Sequence, residues 1–352
     1  MRALLFALVF ALGCSHRDAP SASREPATAS GADPKKSGGR MSDADDLDTN
    51  DVQGIARKYR AQGLAVVDRV VAAMRSDERP RVRANAVTVL LDVFYFRGDK
   101  DKARPYLLEA LGDPLPDVVT RAADGLAGIF FEDPAVKTAL AAHVETLRAA
   151  TSSSDPIVQA HAVSALEKMG ERPPSESMLR ASNAAIRRRG ISQALDAHDL
   201  TAVPALVDLA HNDLELVVRM EAIPVAAALA TPTMRDSLLG DLVVDPNDGV
   251  ANAALKAAGD TGAQALAGKI ETILAKPEGN LTASAIAALG ALGATAAVPA
   301  IAAHLEDRST DAKWNAKLAL DALVGSPRAL AEWQAWAHGK GYLPADGTKP
   351  SR

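Results

Sequence analysis

The sequence predicts an all-α protein, an α-solenoid of about eight helical hairpins. Three observations predict it. First, 48% of the 352 residues are hydrophobic but only 4% are aromatic. Ala, Leu and Val make up the difference, which suits closely spaced helices and not a β-sandwich. Second, one helical phrase recurs eight times with a small residue at the same place. Third, a shorter amphipathic segment precedes each phrase, so the repeating unit is a helix pair.

The chain opens with MRALLFALVFALG, residues 1–13. One Arg, an uncharged apolar run and a small residue have the order of a secretory signal. The run is too short to span a bilayer, which takes about 20 apolar residues. It ends in Ala11-Leu12-Gly13-Cys14, and Cys14 is the only cysteine. These four residues resemble a bacterial lipobox, with Ala11 where the family usually has Leu. The resemblance implies that Cys14 is the lipid attachment site. Its thiol would carry a diacylglyceryl group, and cleavage would free an amine for a further acyl chain. Each buried CH₂ contributes roughly 0.8 kcal/mol, so two or three chains anchor a protein stably. Ser15 follows, where an Asp would favour inner-membrane retention. The expected location is therefore the bacterial envelope, the outer membrane facing the periplasm before the inner one.

Residues 14–50 are rich in Ser, Ala, Pro, Gly and charge, with no apolar period. They read as a disordered tether. Its 36 residues after the cysteine would have an r.m.s. span of roughly 30–35 Å.

The solenoid is expected over residues 51–340. Its phrases begin VRANAVTVL at Val82, VTRAADGLA at Val119, VQAHAVSAL at Val158 and IRRRGISQA at Ile186. They continue VRMEAIPVA at Val218, VANAALKAA at Val250, LTASAIAAL at Leu281 and AKWNAKLAL at Ala312. Successive spacings are 37, 39, 28, 32, 32, 31 and 31 residues. The small-residue column is Ala86, Ala123, Ala162, Gly190, Ala222, Ala254, Ala285 and Ala316. A small side chain at a fixed repeat position lets a helix backbone approach its neighbour closely. Partner helices are expected at 65–75, 104–113, 136–150, 203–213, 235–245, 266–275 and 297–307. Asp-Pro at 113–114, 133–134, 155–156 and 245–246 marks helix starts, where Asp caps and Pro fits the first turn. Residues 171–185 leave room only for a stunted partner helix in the fourth repeat, so a bend or break is expected there. The segment 328–342 reads as a last helix whose Trp333 and Trp336 cover the end of the stack. Residues 341–352 are expected to be a disordered tail.

Eight such phrases in register resemble HEAT repeats, over roughly residues 55–325. The 31–32 residue spacing is similar to the short bacterial form first noted in phycobilisome lyases. The resemblance implies antiparallel helix pairs stacked in a right-handed solenoid, one helix of each pair lining a concave side. Arg83, Arg187 and Arg219, with Lys313 in the last repeat, share one repeat column. The resemblance implies that such a position often pairs with an Asp of the adjacent repeat, as is expected for Arg83 and Arg219. Stacking follows from physics too, because one hairpin cannot bury its own apolar face.

No cofactor, metal or catalytic residue is indicated. Taking Asp46, Asp48 and Asn50 as calcium-loop positions 1, 3 and 5 places Asp51 where Gly is required and Arg57 where Glu is required. His16, His143, His161, His198, His211, His304 and His338 show no metal spacing. HEAT-like di-iron hydroxylases carry His-Glu pairs, and this sequence has no His-Glu dipeptide. An export signal argues against a cytosolic lyase. A net charge of −5 disfavours nucleic acid as partner. The oligomeric state is not legible.

Two features suit a protein or peptide partner. One is the basic run Arg187, Arg188 and Arg189, at least one of which should face outward toward an acidic partner. The other is the set of mature-chain phenylalanines, Phe94, Phe96, Phe130 and Phe131, with Tyr95. They end the long helices of the first two repeats, where they form either a local core or an exposed docking patch. The function expected is therefore a lipid-anchored envelope scaffold, not an enzyme. The alternative is an enzyme, or an accessory subunit of a cell-wall enzyme, whose dispersed site would show as a convergent polar pocket.

Overall fold

A computed structural model describes residues 44–275 and 280–344. The signal, Cys14 and most of the expected tether and tail lie outside these residues. Among the described residues every regular element is helical.

The chain begins with a leading helix, α1 (Val52–Gln62). Eight hairpins follow. They are α2 (Val67–Ser76) with α3 (Pro80–Phe96), and α4 (Arg104–Ala110) with α5 (Pro116–Ile129). Next come α6 (Pro134–Ala141) and α7 (Val144–Ala150) with α8 (Pro156–Lys168). Then come α9 (Ser175–Leu179) with α10 (Ala184–Asp196), and α11 (Val203–Asn212) with α12 (Leu216–Leu229). The last three are α13 (Pro232–Leu242) with α14 (Asp248–Thr261), α15 (Ala267–Leu274) with α16 (Thr282–Ala291), and α17 (Val298–Ala302) with α18 (Thr310–Val324). A final helix, α19 (Leu330–Lys340), closes the array.

The second helix of each hairpin carries the recurring phrase, and these long helices stack in sequence at every step but that from α8 to α10. All eight small-residue positions are buried, seven alanines and Gly190. The closeness they permit is measurable. A Cβ on Gly190 would stand 2.8 Å from Met178 Cβ and 3.0 Å from the Leu179 backbone N. On Gly290 of α16 it would stand 2.8 Å from Ala319 Cβ of α18.

Several expectations are corrected. The partner helix at 136–150 breaks at Ala142-His143 into α6 and α7, although its apolar period runs straight through. Asp133 and Asp155 do cap helices that start with Pro. Asp113 and Asp245 sit two residues earlier than a cap, accepting from the backbone N–H of Leu115 and Asn247. Residues 44–50 are not tether. A 3-10 turn at Asp45–Leu47 buries Leu47 completely, and Asn85 Nδ2 donates to the carbonyls of Leu47 (2.7 Å) and Thr49 (2.9 Å). The segment covers the open end of the first repeat, where no preceding hairpin exists. Nor are residues 341–343 tail. Leu343 is buried in the C-terminal core, and Tyr342 packs edge-on against Trp336 at 5.5 Å.

The terminal helix caps the stack as expected. Trp333 is fully buried, donates its indole N–H to Asp321 Oδ1 at 2.7 Å, and meets Trp336 edge-to-face at 5.0 Å. One glycine position departs from its kind. Gly98, Gly170, Gly262, Gly293 and Gly325 end long helices with positive φ, and His198 (φ 49°) takes that place after α10.

Gly190→Val inserts a branched side chain against the α9 backbone. It is expected to cost about 2–3 kcal/mol in chemical denaturation. Gly268→Val, where a Cβ meets nothing within 4 Å, is expected to cost under about 1 kcal/mol.

Candidate functional site

The arginine column forms the ladder implied by the repeats. Arg83 pairs with Asp113, Arg187 with Asp213, and Arg219 with Asp245, each joining a long helix to the turn of the next hairpin. Each Asp also accepts a backbone N–H two residues on, so one carboxylate ties both the turn and its neighbour. In the third repeat the position holds Gln159, whose Nε2 donates to Thr151 O at 2.7 Å instead.

The three consecutive arginines of α10 therefore do not form one basic patch. Arg187 holds Asp213 through two bonds of 2.7 Å and also donates to the carbonyls of Ala181 and Ser182. Arg188 chelates Glu221 on α12 at 2.5–3.0 Å, and Arg189 pairs with Glu167 on α8. Consecutive helix residues point about 100° apart, so each arginine meets a different neighbour.

The aromatic group also divides. Phe94 stacks on Tyr106 at 6.2 Å, and both Phe94 and Phe130 are buried in the N-terminal core. Phe131 packs partly against that core with Lys137 Nζ 5.2 Å from its ring. Tyr95 and Phe96 stay outside, 42% and 59% exposed. They form an edge with the end of α1. Arg60 lies 3.5 Å over the Phe96 ring while chelating Asp92 at 2.6 and 2.9 Å. Arg97 lies so close over Gly63 that a Cβ there would be 2.2 Å from Nη1. Leu64, 44% exposed, extends the edge, and Arg57 and Lys100 are exposed nearby. The result is a ledge of two rings and an aliphatic chain bordered by guanidinium groups. Such a surface suits a partner that brings apolar and acidic groups together.

The histidines are local. His143 and His211 donate to carbonyls one turn back, and His198 to Leu195 O. His304 meets Asp307 and His338 meets Glu306. His16 lies outside the described residues. His161 lies between two long helices, α8 and α5. Its Nδ1 lies 2.9 Å from Asp124 on α5, whose other oxygen takes Lys168 Nζ at 2.5 Å. Burial pushes the Asp124 carboxyl up, but the His161 hydrogen bond and the His161 and Lys168 charges outweigh it, leaving a pKa of about 2. Asp45, Asp46 and Asp48 are drawn to Arg79, Lys58 and Arg81, which is charge pairing and not calcium coordination. Among the described residues no group of three or more His, Cys, Asp or Glu is placed to hold a metal.

A polar cleft of about 330 Å³ opens where α8 meets α10, lined by Glu167, Arg172, Arg189, Ser192, Gln193 and Asp196. Sequence reasoning missed it, because its walls come from two helices and a loop with no shared motif.

Against known proteins, a family model described as HEAT repeats matches residues 67–146. No curated protein matches the chain. Among solved structures it is similar to an engineered protein, at 17% identity over 86% of this chain and 93% of the other, TM-score 0.43. It is similar to YibA of Escherichia coli, at 17% identity over 82% and 94%, TM-score 0.37. It is also similar to human deoxyhypusine hydroxylase in complex with glycerol, at 18% identity over 78% and 90%, TM-score 0.33.

Arg187→Ala leaves Asp213, 2% exposed, without its counter-charge and is expected to cost about 3 kcal/mol. Arg188→Ala, at a half-exposed pair, is expected to cost under about 1 kcal/mol. Urea denaturation separates the two. Asp124, with its pKa lowered from an unfolded value near 3.8, stabilises the fold fully above about pH 4 and loses that contribution as pH falls toward 2. The stability gap between wild type and Asp124→Asn, on the order of 2 kcal/mol at neutral pH, is expected to narrow over that window.

Proposed function

We propose that this HEAT-repeat protein is a lipid-anchored scaffold of the bacterial envelope that binds a protein or peptide partner. Stacked repeats give a long surface on which many weak contacts can add. The observation that carries the binding reading is the ledge of Leu64, Tyr95 and Phe96 beside Arg60 and Arg97. Large rings exposed at the end of a well-packed helix add nothing to the core, and their cationic border selects for acidic segments. The reading is one of binding, not catalysis.

The anchor and location rest on the sequence alone, on the signal-like run and Ala11-Leu12-Gly13-Cys14. Tethering would hold the stack near envelope partners and raise their effective concentration. Ser15 favours the outer membrane facing the periplasm.

Two measurements test this. Cys14→Ser is expected to abolish incorporation of labelled fatty acid and to move the protein from the membrane to the soluble fraction. Unchanged labelling would remove the anchor. Pull-down from solubilised membranes is expected to lose its partner at least tenfold with Tyr95→Ser/Phe96→Ser, at unchanged helical content. Equal recovery would sink the ledge as the binding site.

A further inference from the structure

We propose that the solenoid is two rigid stacks, residues 44–168 and 175–343, that bend against each other at a hinge in residues 169–174. The hinge stands whether or not the Tyr95–Phe96 ledge binds a partner.

Three observations converge on this point. Consecutive long helices pack closely in every pair but one, and the exception is α8 with α10. The buried apolar residues divide at the same place. One large cluster runs from Ala44 to Leu166 and another from Leu179 to Leu343. Only a small cluster spans the seam, Val163 of α8 with Met178, Ala181 and Ile186. The connection, Met169-Gly170-Glu171-Arg172-Pro173-Pro174, is built to turn at one end and stay stiff at the other. Gly170 has φ 79° and open space where a Cβ would stand. Pro173 and Pro174 hold their own φ and restrict the residue before each. Gly170 and Glu171 close α8 through N–H bonds to the carbonyls of Glu167 and Leu166, so the bend falls at this cap and the residue after it, ahead of the prolines.

Apart from the small buried apolar cluster of Val163 with Met178, Ala181 and Ile186, the contacts at the seam are polar. Glu167 on α8 pairs with Arg189 on α10, with the side chains 32% and 49% exposed. Arg148 on α7 binds Glu171 at 2.7 Å and Arg172 O at 2.8 Å, while Ser152 meets Ser177 at 2.9 Å. Half-exposed ion pairs contribute little net stability and exchange readily with water. Bending anywhere else would separate long helices that pack directly on one another. At the seam it opens a cleft that already exists and breaks the Glu167–Arg189 latch. Whole stacks moving about a few terminal residues is an established mode of domain motion.

Distances between spin labels test the hinge in the full chain carrying Cys14→Ser, which leaves no native thiol. One pair, Glu132→Cys/Lys256→Cys, spans the seam. Two others, Gln62→Cys/Glu132→Cys and Lys256→Cys/Lys340→Cys, lie within a stack. The spanning distribution is expected to be at least twice as wide as the others, and wider again with Arg189→Glu. Equal widths would overturn the proposal. Unfolding gives a second reading, because all three tryptophans, Trp314, Trp333 and Trp336, lie in the C-terminal stack. Leu126→Ala in the N-terminal core is expected to lower the midpoint seen by circular dichroism and leave the tryptophan midpoint in place. If both midpoints fall together, the two stacks are one unit and the hinge is wrong.

Discussion

The close approach of helix to helix, at a buried small residue on each long helix, is the constraint on which everything else in this molecule depends. A hairpin of two short helices has one apolar face and nothing of its own to cover it. The next hairpin covers it only if the helices come near enough for shallow side chains to interlock. Alanine in seven repeats and Gly190 in the fourth set that distance. The low aromatic content follows, since there is no room between the layers for large rings. It also follows that both ends need special treatment. The first repeat is closed by Leu47 and the acidic turn around it, the last by Trp333 and its ring neighbours.

Polar groups are arranged by the same repetition. Each inter-helix turn leaves backbone N–H groups without helical partners, and an Asp there accepts one of them. At Asp113, Asp213 and Asp245 the same carboxylate also receives an arginine from the preceding long helix. Turn geometry and repeat register are thus held by one side chain. A charged residue on a long helix therefore tends to meet an opposite charge on its neighbour before it meets solvent. The α10 arginines show how thoroughly this absorbs charge, since three adjacent cations answer three separate acids.

Departures from this repetition are correspondingly informative. Tyr95 and Phe96 sit past the last layer of the core, where α3 outruns the helices beside it. The fourth hairpin has the shortest spacing from its predecessor, 28 residues, and a partner helix of only five residues. Too little chain remains there to build a full apolar layer, and the contact shrinks to a small apolar cluster flanked by ion pairs. On the proposed reading, a docking ledge on one stack and a pliant joint to the other would let the molecule adjust to the shape of what it holds.

The sequence by itself determined the helical hairpins, their number, the buried small-residue column, the arginine ladder and the closing role of Trp333 and Trp336. These are legible because a periodic fold writes the same local requirement many times, and eight copies outweigh the noise in any one. Tertiary structure alone decided what happens where the period is broken. It placed residues 44–50 on the first repeat, because the need for a cap arises from the exposed face and not from any pattern in the acidic segment. It buried Phe94 and Phe130 while leaving Tyr95 and Phe96 outside, a distinction set by where α3 and α5 end against their neighbours. It also dispersed Arg187, Arg188 and Arg189 and divided the core at the seam. Those outcomes depend on which helix lies alongside, and distance between helices is not encoded in the order of residues along either one.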